Sequence, residues 1–389
     1  VKHDHLNTLL ITAILSMAGT ALLWGLWVTG NFENPDRLLL DQAQQQIPPQ
    51  PVADSPLVYI KIGDISDQPW PWQSLDYAIL THSILRYSPK LVVMETPFVR
   101  TDGSPTVYDI QLKRQLKRLN SSIVSVPVTS SGRHLGRSTS FRPLATLPES
   151  LAIPPYGYGL WPIEQVADTA QLAPQAFPAD PDGIVRKIPL IINYQGQPVA
   201  SQILRAYASY IGADLADSGA IMGKSIVLKN STGAVMETIP INTHGEITLR
   251  YHPSAELPVR KEVEFYSVIL ASEQQHQEGT PSFDLGVLRN SLVVLGKEHP
   301  NIMEPIPTPT GPLSPAKLQI TALSNLIHHS YIKFVSPTLM IFLLYLTIAM
   351  GILIARFNNI WLSLSGLVVG VVYTAAMIAL IFYFQGYWL

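Results

Sequence analysis

The chain has no cysteine, which excludes disulfide frameworks, thiolate metal sites and cysteine nucleophiles. Such a chain suits an oxidising compartment. Charge is also scarce. Asp, Glu, Lys and Arg make up 14% of the sequence, against roughly 25% in ordinary soluble domains, and the deficit points to membrane segments. The formal net charge is −2, so there is no electrostatic case for nucleic acid. Catalytic signatures are missing as well: no Ser/His/Asp arrangement, no H-E-x-x-H and no glycosidase-like pair of carboxylates stands out. His5, His244, His276 and His299 are scattered without ligand spacing. No metal, no cofactor and no enzymatic activity is expected.

Long apolar runs are present in three places. They cover residues 6–30, 334–355 and 360–384, and each reaches the roughly 20 residues that a bilayer requires of a helix. Trp24, Trp27, Tyr331, Trp361 and Tyr383 stand near their ends, as interfacial aromatic belts do. The first run is too long for a cleaved signal peptide, and no A-x-A site follows it before Asn31. It reads as an uncleaved anchor. Lys2 and the loop residue Arg356 mark the cytoplasmic side. Residues 1–5 then form a cytoplasmic N-terminus, and residues 31–333 form one extracytoplasmic domain.

That domain is organised around residues 57–98. The apolar run Leu57-Val58-Tyr59-Ile60-Lys61-Ile62 ends at Gly63-Asp64. Apolar residues at Leu75, Ala78, Ile79 and Leu85 follow at helical spacing, then the run Leu91-Val92-Val93-Met94. Strand, helix, strand over about forty residues is a βαβ unit, whose strands are parallel. Thr106 to Asn120 reads as an amphipathic helix with Val107, Ile110, Leu112, Leu116 and Leu119 on its apolar side. Ser122 to Val128 reads as a third strand. The alternation predicts an α/β fold: a mostly parallel sheet with covering helices.

Beyond it, residues 129–179 are rich in Ser, Pro and Gly and read as irregular cover. Asp180-Pro181-Asp182-Gly183 is a turn, which feeds an alternating strand from Ile184 to Tyr194. Gln195-Gly196-Gln197-Pro198 is another turn, and Val199 to Ile211 a helix closed by Gly212. Strands are predicted at Ser225 to Lys229, Glu246 to Tyr251 and Leu292 to Gly296, and a short helix at Val263 to Leu270. A helix from Ala316 to His329 runs almost directly into the second membrane span.

Few motifs carry chemistry. Asp64 and Glu95 each lie just past the carboxyl end of a predicted parallel strand, the edge where open α/β sheets bind ligands. Together they would hold a cation or the amine of a small ligand; otherwise one caps a helix and the other is solvated. Trp70-Pro71-Trp72 would floor an apolar or sugar-like pocket, or plug the end of the sheet as core, the commoner arrangement. Asp180-x-Asp182-Gly183 is half of a calcium loop without its bidentate Glu, and reads as a β-turn in which Arg186 pairs with Asp182. Gly219 to Ser225 misses the phosphate-loop spacing and precedes a strand. His328 and His329 close the last helix, beside the membrane.

Several pieces, in order, resemble the type-two CHASE domain, the extracytoplasmic sensor module of bacterial cyclases and kinases. They are Val58 to Ile62 with Trp70-Pro71-Trp72, Leu91 to Glu95, Asp180 to Arg186, Leu292 to Gly296, and Thr308-Pro309 ahead of the final helix. Gln73-Ser74 stand where the family usually has Arg, and Glu95 where it has Asp. Two C-terminal spans are read instead of the family's three, and Tyr387-Trp388-Leu389 resembles the lead into the third. A truncated or partial version of the family layout is therefore expected, without the cytoplasmic effector.

The resemblance implies a multi-pass protein of the bacterial inner membrane with a periplasmic sensor. A small ligand or partner would bind near Asp64, Glu95, Trp70 and Trp72. The resulting helix shift would pass through Tyr331, Ile332 and Lys333 to the second span, because no flexible linker intervenes. Membrane lipid, a second copy of the chain and another membrane protein are the expected partners. The alternative is a non-catalytic scaffold or partner-binding subunit of a larger envelope complex.

Overall fold

A computed structural model describes residues 33–45, 55–63, 72–100, 106–135, 141, 143–144, 153–252, 257–277, 279–299, 301–334 and 387–388. The three predicted spans, apart from Phe334, and the residues Asp64 and Trp70 lie outside them. Among the described residues no helix is long and apolar enough to cross a membrane. The chain divides into two compact units, Pro48–Tyr331 and a second made of Val1–Ile47 with Ile332–Leu389.

The larger unit is built on six parallel strands. In chain order they are β1 (Leu57–Ile62), β2 (Leu91–Met94), β3 (Ser122–Thr129), β4 (Gln171–Gln175), β12 (Lys261–Glu264) and β13 (Leu292–Lys297); their spatial order is β12-β1-β13-β2-β3-β4. Tyr158–Gly159 adds a two-residue antiparallel pairing at the end of β3. The central runs read as unbroken hydrophobic stretches because both faces of a parallel sheet are covered. Their pleat sorts the side chains by turns. Leu57, Tyr59, Leu91, Val93, Ile123, Leu292 and Val294 enter one core. Val58, Ile60, Ile62, Val92, Met94, Val124, Val293 and Leu295 enter the other.

The second of these cores is closed by α2 (Ser74–Leu85), α3 (Val107–Leu116), α4 (Glu164–Ala167) and α6 (Phe265–His276), through residues such as Tyr77, Leu112, Val166 and Val268. The first is closed by α5 (Gln202–Ile211) and α7 (Pro315–Ile327), with residues from three small antiparallel pairings. Those are β5 (Lys187–Pro189) with β11 (Glu246–Thr248), β6 (Ile191–Tyr194) with β7 (Gln197–Ala200), and a meander of β8 (Asp214–Ile221), β9 (Ser225–Lys229) and β10 (Val235–Pro240). Gln195 and Gly196 both take positive φ, 51° and 84°, as the two-residue turn of the β6–β7 hairpin requires.

Several expectations are corrected. Residues 129–179 are not only cover, since β4 lies within them. Its sequence is polar and holds Pro174, which an edge strand tolerates because one side of its backbone needs no ladder partner. Val263 to Leu270 is the end of edge strand β12 followed by α6; the charges of Lys261-Glu262-Val263-Glu264 mask the strand. The predicted strand from Ile184 to Tyr194 breaks at Leu190 into β5 and β6, which pair with different partners. Val199 and Ala200 finish β7, and α5 starts only after Ser201, whose hydroxyl accepts from Leu204 N at 3.3 Å. Gly212 closes α5 in the left-handed conformation, φ 83°. The strand predicted to Tyr251 stops at Thr248.

In the smaller unit, α1 (Glu33–Gln45) packs Leu40 and Ala43 against Ile332, and Lys333–Phe334 pairs in parallel with Tyr387–Trp388.

Candidate functional site

The carboxyl edge of the sheet is where the chain reverses its order. It steps outward from β1 through β2 and β3 to β4, then returns late to lay β13 between β1 and β2. Open α/β sheets bind ligands at such a reversal. β1 and β2 are therefore not neighbours, and the side chains leaving β13 meet those leaving both.

Glu95 follows β2 directly and is buried. Its backbone N–H donates to Leu295 O at 2.8 Å, its Oε2 accepts from Lys297 N at 3.4 Å, and Lys297 Nζ lies 3.6 Å from its Oε1. Burial pushes the Glu95 carboxyl above the usual range, and the charge of Lys297 opposes that shift. The cation beside Glu95 is thus a strand neighbour two hundred residues away. Glu298 is the next residue along. Its N–H donates to Ile62 O at 3.0 Å. Its Oε2 accepts from Tyr59 Oη at 2.9 Å and from Ser314 Oγ at 2.7 Å, and its Oε1 pairs with Lys317 Nζ. Ser314 is the N-cap of α7, accepting from Lys317 N at 3.2 Å. Burial, and then the Glu298 charge, drive the Tyr59 phenol well above its usual pKa.

Two carboxylates and two ammonium groups hence alternate around the end of β13 and hold β1, β2 and the first turn of α7. The helix approaches so closely that a Cβ on Gly296 would lie 2.2 Å from Ala316 Cβ. Toward the edge of the sheet Lys61 Nζ pairs with Glu262 at 2.8 Å and Glu264 at 3.3 Å, and the Glu262 bond foremost raises its pKa.

A second polar node ties α2 to α3. Thr106 and Asp109 form a reciprocal capping box at the start of α3. Asp109 is fully buried and accepts from Ser74 Oγ at 2.5 Å and Arg100 Nη1 at 2.7 Å. Burial works against its ionisation, but Arg100, Ser74 and Thr106 together hold its carboxyl below the usual range. Of the apolar side predicted for this helix, Leu112 and Leu116 are buried, and Leu119, just past the helix end at Leu116, packs partly buried against the same core. Val107 is 69% and Ile110 44% exposed, because the capping box turns Asp109 inward in their place. The pattern Thr-x-x-Asp ahead of the helix was the available signal for this residue.

Trp72 is a core plug. Its ring lies 4.9 Å from Phe265, 5.0 Å from Tyr266 and 6.5 Å from Tyr77, whose own ring meets Phe98 edge-on. Asp180-Pro181-Asp182-Gly183 is the expected turn, with Gly183 N donating to Asp180 O at 2.8 Å. Arg186 is 2% exposed and pairs with both Asp180, at 2.9 Å, and Asp182, at 2.7 Å. Among the described residues no group of three His, Asp or Glu is placed to hold a metal ion.

The final helix also differs from expectation. It ends at Ile327, not His329, with His329 at φ 52° and Ser330 N donating back to Asn325 O at 2.9 Å. Tyr331 is buried in the core of the larger unit. Ile332 is buried in the smaller one. Lys333 is extended, so Tyr331-Ile332-Lys333 is not a continuation of the helix.

Comparisons with curated proteins and with solved structures return no match. The family model described as the CHASE2 domain matches residues 17–355. The chain belongs to the CHASE2 family, a family of extracellular sensory domains.

Proposed function

We propose that the chain is a membrane-anchored, extracytoplasmic signal-input module. A small ligand or partner binds at the carboxyl edge of the sheet, beside Glu95 and Trp72; Asp64 and Trp70, which the sequence also offers for this role, lie outside the described residues. Its arrival moves α7, and the movement passes through Tyr331, Ile332 and Lys333 into the second span. One observation carries this reading: Glu298 bonds at once to Tyr59 of β1 and to the N-cap of α7. A change at the strand ends is therefore felt by the last helix before the junction. Such coupling requires a ligand that prefers one of two arrangements. Sensing needs no chemistry at the site, and paired charges suit it.

The test uses the whole chain in lipid nanodiscs. Glu298→Gln loosens the first turn of α7, and hydrogen exchange of residues 332–355 should rise. A two-glycine insertion after Tyr331 should abolish that response. An equal response with and without the insertion sinks the reading.

A scaffold role is the second reading. Ile79, Val107, Tyr108, Ile110, Tyr266 and Leu270 are large apolar side chains exposed on the neighbouring helices α2, α3 and α6, as a partner-binding surface would be. A stoichiometric partner in a pull-down from native membranes favours scaffolding. A small molecule that raises the melting temperature favours sensing.

A further inference from the structure

The two edges of the parallel sheet differ in charge. At the carboxyl edge Lys61, Lys297 and Lys317 are each paired with a carboxylate. At the amino edge the cations are not. Arg260 precedes β12, Arg289 precedes β13, and Lys90 precedes β2. Lys117 and Arg118 lead from α3 into β3, and Arg86 closes α2. All six are exposed. Backbone bonds set these strand starts side by side. Arg260 N donates to Leu57 O at 2.8 Å, Lys90 N to Ser291 O at 2.9 Å and Val92 N to Ser121 O at 3.1 Å. Neighbouring strands lie about 4.8 Å apart, so the four spacings from β12 to β3 make a cationic rim about 19 Å long.

Among the described residues none of the six has a carboxylate partner. Lys90 Nζ sits 4.7 Å from the centre of the Tyr210 ring, and Arg86 Nη1 lies 3.3 Å from His276 Nδ1. Arg118 Nη1 donates to Gln115 Oε1 at 3.2 Å and Arg260 Nε to Ser55 O at 3.0 Å. The carboxylates near this edge do not balance the rim. Asp168 is taken up by Lys113 at 2.7 Å. Asp214 and Asp284 accept from Ala216 N and Gly286 N, and Asp217 and Glu273 are exposed. Against those four stand the six cations, with exposed Arg114 and Lys261 besides. Helix dipoles favour cations at the ends of α2 and α3. They give no reason for Lys90, Arg260 and Arg289, which precede strands.

Both chain ends of the larger unit leave from this edge. β1 starts there, so the segment arriving from the first predicted span enters there. α7 runs back from the carboxyl edge, where Ser314 bonds Glu298, and ends at Ile327 on the amino side. Tyr331 is three residues short of Phe334, where the second predicted span begins, a reach of no more than about 11 Å.

We propose that the amino edge docks on the anionic phospholipid headgroups of the membrane that anchors the chain. The rim cations bind lipid phosphates, and the sheet stands on end, with Glu95 and Glu298 about 20 Å further from the lipid, the length of a six-residue strand. Each Lys or Arg near an anionic surface strengthens attachment about fivefold, and salt screens it. A second copy of the chain offers no matching surface, because the acids of its carboxyl edge are already paired with Lys61, Lys297 and Lys317. The docking rests on the membrane-anchored reading and goes beyond it by fixing which edge faces lipid and which lipid charge it prefers.

The test places a single fluorophore on the whole chain, at Asn120→Cys beside Arg118 or at Asn301→Cys on the carboxyl edge, both exposed positions. The chain is held in nanodiscs of phosphatidylcholine, with or without phosphatidylglycerol, that carry a nitroxide on some headgroups. The label at residue 120 should be quenched with phosphatidylglycerol, and should brighten in high salt or in phosphatidylcholine alone. The label at residue 301 should stay bright throughout. Lys90→Gln, Lys117→Gln and Arg289→Gln together should weaken docking about a hundredfold and remove the effect of phosphatidylglycerol. Equal quenching in both lipids, stronger quenching at residue 301, or a triple variant that keeps the lipid effect overturns the docking. So does calorimetric binding of poly-L-glutamate while phosphatidylglycerol leaves the label at residue 120 unchanged, which makes the partner an acidic protein. Those results leave the response of residues 332–355 to Glu298→Gln standing. Docking without that response sinks the sensing reading alone. A chain that does not enter the discs sinks the anchored reading and the docking with it.

Discussion

Replacing Gly296 with alanine tests the seam between β13 and α7. The added Cβ would sit 2.2 Å from Ala316 Cβ and 3.4 Å from Glu95 Cβ. Carbon atoms settle about 3.5–4.0 Å apart, so the first turn of α7 must retreat by more than about 1 Å. Neither Cβ can swing aside, because both are fixed to backbone. That retreat strains the bonds of Ser314 and Lys317 to Glu298. Overpacking of this kind costs about 1–3 kcal/mol, partly offset by the roughly 0.5 kcal/mol or more that a strand gains when glycine becomes alanine. Thermal unfolding of the detergent-solubilised chain, followed by circular dichroism, should show Tm lower by a few degrees. Ala316→Gly alone costs up to about 1 kcal/mol of helix propensity. Combined with Gly296→Ala it should restore most of the loss, since Ala316 Cα then stands at an ordinary 3.5 Å. A double-mutant cycle with no coupling, or a Gly296→Ala chain as stable as the parent, refutes the close approach.

Stripping both carboxylates from the Arg186 guanidinium, with Asp180→Ala and Asp182→Ala together, should cost about 3–5 kcal/mol in urea unfolding, because the charge stays buried. Thr106→Ala removes a capping hydroxyl and should cost about 0.5–2 kcal/mol by the same assay. Burial, then Arg250 and His328, push the His252 imidazole down to about 4, and among the described residues both buried ring nitrogens have no hydrogen-bond partner. The unfolded chain therefore takes up a proton near pH 6.5 that the folded chain refuses, and stability should fall as pH drops from 6.5 to 4. Solvent screening of the partly exposed ring keeps that loss below about 3 kcal/mol. His252→Gln should flatten the profile over that window.

The parallel core was legible because β1, β2 and β13 are buried on both faces and so read as unbroken apolar runs. The edge strands were not. β4 carries glutamines and a proline. β12 carries charges that Lys61 neutralises only once the sheet has formed. Local pattern also misled at α3, where period-based reading placed Ile110 inward and the capping box placed Asp109 there instead. At the candidate site, Glu95 could be read from its place after an apolar run. Lys297 and Glu298 could not, since nothing local reveals that β13 enters between β1 and β2.

If the larger unit stands outside the membrane that anchors it, as proposed, one introduced thiol reports its side directly, because the sequence has no cysteine. Thr232→Cys places a single thiol on an exposed turn of the larger unit. In intact cells a membrane-impermeant maleimide should label it as fully as in broken cells. Labelling that appears only after the membrane is opened would place the larger unit in the cytoplasm and rule out extracytoplasmic sensing.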